Sequence, residues 1–151
     1  MRVTATQIQD RIRSDALRTR ILKAAEAQRF AWGVAYPANR VDGHGEYMTP
    51  ETVEAAAWSF LRDGGRQIGF QHADGTLGHG QVVESAIWRA DPWTTTGIDG
   101  EPQTINPGDW VLGVVFDDPG WREIKAGKAR GWSIDGLGKR KPIPRDQAPV
   151  T

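Results

Sequence analysis

Two residues of this chain have the chemistry of a nucleophile and its base. Ser133 lies in the run Gly131-Trp132-Ser133-Ile134-Asp135-Gly136, and His72 ends a short apolar run and opens Ala73-Asp74-Gly75. In a strand over residues 129–135, Trp132 and Ile134 would point to the core while Ser133 and Asp135 point the other way. A serine hydroxyl does not attack an amide unless a base takes its proton. A neutral imidazole, with a reference pKa of about 6.5, can do that at neutral pH. Each residue alone has a plainer reading. A serine on a strand face is more often a solvated polar group, and a histidine at a strand end is more often structural. GWSIDG is also not the G-x-S-x-G turn of the α/β-hydrolases.

Other chemistries are harder to build. His44 and His79 both have glycine neighbours in loops, the histidine spacings are wide, and no H-E-x-x-H pair occurs, so no metal site and no cofactor are expected. There is no cysteine, which excludes a disulfide framework, a thiolate metal site and a cysteine nucleophile. Nineteen basic residues balance nineteen acidic ones. A protein that binds nucleic acid by counterion release is normally basic, so no nucleic-acid partner is expected. No apolar run approaches the roughly 18 residues that span a bilayer, and MRVTATQIQD lacks the apolar segment of a signal peptide. The composition fits a cytoplasmic protein.

The elements that must position these residues follow from periodicity. Ile8, Ile12, Leu17, Ile21 and Leu22 fall near helical spacing, which predicts a helix over 6–28. Phe30 to Tyr36 alternates as a strand. Residues 37–48 form a Gly-, Asn- and Asp-rich loop, and Thr49-Pro50-Glu51 is a helix start with a threonine cap, a first-turn proline and an acid. Val53, Ala56, Ala57, Phe60 and Leu61 give that helix one apolar face, and Gly64-Gly65 stop it. Strands are predicted over 66–72, 80–90, 109–116 and 129–135, with a short helix from Asp118 to Gly127 and a long polar loop over 91–108. Many glycines and prolines mean many turns, and the seven tryptophans belong mostly to the core. The expected class is α+β, with a mainly antiparallel, barrel-like sheet flanked by helices.

Several blocks together resemble the XkdF-type phage serine proteases. They are Asp42-Gly43-His44-Gly45-Glu46, Thr49-Pro50-Glu51-Thr52-Val53-Glu54-Ala55-Ala56, Phe70-Gln71-His72, Gly80-Gln81-Val82-Val83-Glu84-Ser85, Pro107-Gly108-Asp109-Trp110-Val111, Trp121 to Gly127, and Gly131 to Gly136. Each is weak alone; their order and spacing are specific. The resemblance covers roughly residues 30–138. With the N-terminal helical arm (1–29) read from periodicity and the basic, Pro-rich tail (139–151) read from composition, it marks 30–138 as the protease domain. It also implies kinship with prohead proteases and herpesvirus assembly proteases, with His72 matching the family's histidine and Ser133 its serine.

The third catalytic position stays open. The herpesvirus enzymes use a second histidine after the serine, and this chain has none after His79. Asp42 fits an Asp-His-Ser order and ranks first; Glu84 and Asp135 are its rivals. An acid there would orient the imidazole and stabilise its charged form. Asp42 before Gly43 is also an ordinary turn pair. The function the resemblance implies is a serine endopeptidase that cuts phage scaffold and capsid precursor proteins, and often itself, inside the assembling prohead in the bacterial host cytoplasm. Self-association is compatible with this role, and no membrane partner is expected. The alternative is an inactive head or scaffold component that keeps the fold.

Overall fold

In the computed structural model, an open antiparallel sheet is covered by helices on one face and by a hairpin on part of the other. The described residues are 20–43, 45–63, 67–70, 79–127, 132–133, 142–143, 145–147 and 149. Strands β1 (Arg20–Ala25) and β2 (Phe30–Tyr36) precede helix α1 (Pro50–Arg62). Then come β3 (Gln67–Phe70), β4 (Gly80–Ile87), β5 (Trp93–Thr96), β6 (Pro102–Ile105), β7 (Trp110–Phe116), α2 (Asp118–Lys125) and β8 (Trp132–Ser133). The main sheet has the order β1-β2-β7-β4-β3-β8, and β5 pairs with β6. Every pairing is antiparallel.

The class is α+β as expected, and among the described residues the sheet does not close into a barrel. Its central strand explains why closure is unnecessary. β7 is apolar at nearly every position and needs cover on both faces. Trp110, Leu112, Val114 and Phe116 pack with Val53 and Ala57 of α1 and Trp121 and Ile124 of α2. Val111, on the opposite face, packs with Leu22, Val34 and Ile105, flanked by Trp32 and Trp88. Trp32, Trp88 and Trp93 stand 6.1–6.4 Å apart between ring centroids and seat the β5–β6 hairpin on that outer face. Two helices and one hairpin thus bury what a barrel would have buried by curling.

Two sequence expectations are corrected. Residues 20–25 form an edge strand, and 26–28 a single 3₁₀ turn, where a helix was expected; residues 6–19 of that predicted helix lie outside the described residues. The reason is local. Neighbouring residues of a strand point to opposite faces, so the adjacent and almost fully buried Ile21 and Leu22 enter opposite clusters, and a pair that mimics a helical stripe is an in-and-out pair; the register with β2 shifts just after it, between Ile21 and Lys23. The expected long loop over 91–108 contains the β5–β6 hairpin. Its strands show little alternation because only Ile105 among them is buried, and a Thr94–Thr104 hydroxyl bond of 2.8 Å links them.

The α1 start is built as its sequence suggests. Thr49 Oγ1 accepts the Thr52 N–H, and Pro50 occupies the first turn. What fixes the loop before it is Asp109, only 2% exposed. Its Oδ1 accepts the Ala38 N–H and its Oδ2 the Asn106 N–H, both at 2.9 Å. Burial raises this carboxyl above its ordinary value, against the two backbone bonds and the Arg40 charge. The stability tied to that shift is therefore full below the unfolded value and declines as pH rises through the folded one.

Asp109→Ala leaves both N–H groups without an acceptor, at about 1–3 kcal/mol each. Urea unfolding should show a loss of about 3 kcal/mol, with Asp109→Asn, which keeps one acceptor, in between. An alanine variant as stable as wild type would contradict this role.

Candidate active site

The short strand β8 carries Ser133 into the sheet. Gly69 of β3 pairs with Ser133, and Phe70 with Trp132. β3 in turn pairs with the start of β4, Gln67 with Gln81 and Ile68 with Gly80. Gly80 is required there: a Cβ would lie 2.6 Å from the Phe116 ring and 2.9 Å from Val114. By register, positions 133, 69, 67 and 81 share one sheet face, opposite to the helix-covered face on which Gly80 meets Val114 and Phe116.

His72 follows the end of β3 by two residues and lies outside the described residues, as do Asp135 and His44. The strand that bears the serine and the strand that leads into the histidine are direct neighbours, spaced by about 4.8 Å as paired strands are. Helix α2 delivers β8. Trp121 and Ile124 bury it against the sheet, and Gly127, at φ 71°, turns the chain after its end.

Asp42 occupies a different part of the fold. Its Oδ1 accepts the Glu46 N–H at 2.8 Å, and its own N–H donates to the Glu46 carbonyl at 2.7 Å. It is half-buried and closes the tip of an excursion whose base is the Asn39–Met48 bond. That excursion leaves β2 at Tyr36, which pairs with Trp110, whereas β3 and β8 lie beside Gly80, which pairs with Phe116. The two ends of β7 are about 20 Å apart at 3.3 Å per residue. Glu84 is exposed on β4 and pairs with Gly113.

A histidine–carboxylate pair is present elsewhere, and the sequence reading missed its acid. His79 Nδ1 and Asp117 Oδ2 are 2.9 Å apart. Asp117 caps α2 through Oδ1, which accepts the Gly120 N–H at 2.8 Å. The Gly120 bond first, and the His79 bond next, hold this carboxyl below its ordinary value. The available signal was the acid before Asp118-Pro119-Gly120-Trp121, a cap position one residue earlier than the helix start assigned.

An open groove of about 440 Å³ is lined by Pro50, Glu54, Ile87, Trp88, Arg89 and Pro107. It sits at the Ile87 end of β4, away from β8, and is crossed by an Arg89–Glu54 ion pair of 2.9 Å. Among the described residues no cluster of three or more His, Asp or Glu could hold a metal, and no helix is long and apolar enough to cross a membrane.

The family model described as "Putative phage serine protease XkdF" matches residues 18–141. The chain belongs to this family. It is 38% identical over 131 residues to the uncharacterized protein YqbD of Bacillus subtilis (strain 168), covering 87% of this chain and 38% of that protein. It is 35% identical over 112 residues to XkdF of the phage-like element PBSX of the same strain, covering 74% of this chain and 38% of that protein. The chain thus spans under two fifths of the length of each relative. No solved structure matches it.

The Asp117 shift carries a sign. A depressed carboxyl contributes stability that is present above its unfolded value, near 3.8, and is lost as pH falls through the folded value. Asp117→Asn keeps a cap acceptor and removes the charge. The wild-type advantage over this variant in urea unfolding should shrink between pH 7 and about pH 3; an advantage constant over that range would contradict the assignment.

Proposed function

We propose that the chain is the serine endopeptidase region of a phage head-maturation protease, with Ser133 as nucleophile and His72 as general base. The observation that supports this best is the β3–β8 pairing, which sets the serine's strand beside the strand that runs into His72. In this reading the imidazole takes the Ser133 Oγ proton as the oxygen attacks the scissile carbonyl, then returns a proton to the leaving amine. Backbone N–H groups are the usual donors to the oxyanion that forms. The substrates are scaffold and capsid precursor proteins within the assembling prohead in the host cytoplasm, with self-cleavage among its reactions.

Ser133→Ala removes one oxygen and should abolish cleavage of the phage's scaffold protein, followed by mass mapping, while the protein stays folded. His72→Ala should lose about as much, because nucleophile and base act as a unit. Undiminished cutting by a folded Ser133→Ala protein would turn the reading to an inactive head component whose fold persists.

Wild-type cleavage should decline as pH falls through about 6 to 7, where an imidazole of ordinary pKa gains its proton. A rate that stays flat to pH 5 would count against His72 as the base.

Asp42 is the acid proposed for the third position on sequence order alone, before His72 and Ser133, although its excursion leaves β2 at the end of β7 opposite to β3 and β8. If it orients the imidazole, Asp42→Asn should cost up to about 10⁴ in turnover, as a buried triad aspartate does in another serine protease, and Glu84→Gln and Asp135→Asn far less. If Asp42 serves only the turn with Glu46, Asp42→Asn should leave turnover within about tenfold of wild type.

A further inference from the structure

The His79–Asp117 pair lies where both chain routes to Ser133 are anchored. One route runs through the sheet. His79 immediately precedes Gly80, and Gly80 and Gln81 supply the pairing that holds β3, whose Gly69 holds Ser133. The other runs through the helix. Asp117 caps α2, and α2 leads past Gly127 to β8.

His79 and Asp117 are joined at two levels. The Asp117 N–H donates to the His79 carbonyl at 3.0 Å, and the side chains meet at 2.9 Å. The first turn of α2 presses against the same residue. A Cβ on Gly120 would lie 2.9 Å from the His79 carbonyl oxygen and 3.1 Å from its Cβ, so only glycine lets the helix start this close. Among the described residues, the other charges near the pair are Arg122, which acts on Asp117, and Asp118, which Arg29 engages at 2.6 Å.

As a stability element the side-chain pair is minor. His79 is 38% and Asp117 48% exposed at the side chain, and exposed ion pairs contribute little. Its location gives it a different value. The described pairings of β8 place Ser133 through Gly69 of β3, and a misplacement of about 1 Å at a reacting group can cost roughly 10²-fold in rate.

We infer that the His79–Asp117 side-chain pair is a positioning device for the nucleophile, holding the start of β4 and the start of α2 in the mutual placement that sets Ser133. The inference rests on Ser133 being the nucleophile. His79 acts through Gly80, β3 and α2, and it is not assigned contact with substrate.

The test is the rate at which a fluorophosphonate probe labels the protein near pH 8, where the serine oxygen displaces fluoride from phosphorus, with thermal unfolding followed in parallel. His79→Ala should label about tenfold more slowly than wild type while its melting temperature stays within a few degrees. His79→Gln, whose amide can donate to Asp117, should recover most of the rate. Asp117→Asn, which can accept from Gly120 and donate to His79, should label close to the wild-type rate, since placement and not charge is what the pair supplies. Wild-type protein that takes no label overturns the serine-nucleophile reading, and the inference with it. Wild-type protein that labels, alongside His79→Ala that labels as fast, overturns the inference alone. So does a His79→Gln variant no faster than the alanine variant.

Discussion

The rest of the structure depends on burying both faces of β7. A strand reading Trp-Val-Leu-Gly-Val-Val-Phe has no face to give to water. The chain satisfies it asymmetrically: two helices cover Trp110, Leu112, Val114 and Phe116, and a tryptophan-seated hairpin covers Val111. The cover runs out along the outer face, where Val115 is 37% and Val83 54% exposed. The β3–β8 pair joins the sheet beyond β4, next to the Gly80–Phe116 pairing.

The same constraint orders the connections. Because β7 is central, β2 and β4 flank it, and the loop after β2 must leave at the Trp110 end. Asp109, buried at that end, takes two backbone N–H groups and so ties the loop to the start of β7. At the Phe116 end, the chain passes straight into the Asp117 cap and α2. The sheet therefore has a structural end and an end that leads to Ser133, and the polar side chains that fix the two ends are both aspartates. They titrate with opposite sign. Burial raises Asp109, while hydrogen bonds lower the exposed Asp117.

Much of this was legible in the residues. Phe30–Tyr36, the Thr49 cap, the apolar run to Phe116 and the helix after Asp117 all follow from period and punctuation, because each is decided by contacts close in sequence or by burial on a simple pattern. The bulge at Ile21 and Leu22 was not legible, since it depends on β2 as a neighbour and reverses what helical spacing suggests. The β5–β6 hairpin was hidden because its faces are mostly solvated and its one anchor, Ile105, is buried against distant Leu22, Val34 and Val111. At the site, the residue types at 72 and 133 and their likeness to a family were readable. The role of Asp117 was not, because its partner His79 lies 38 residues away in the chain. Asp109 stood in plain view in Pro107-Gly108-Asp109-Trp110-Val111, and only its two backbone donors show what it holds.

The central claim is that Ser133 is a nucleophile activated by a histidine. Its most direct test is the position of the covalent adduct formed with a fluorophosphonate, mapped by peptide mass spectrometry. The account predicts a single adduct on Ser133, absent from the Ser133→Ala protein and strongly reduced in His72→Ala. An adduct on any other serine, or equal modification of Ser133 with and without His72, would contradict it.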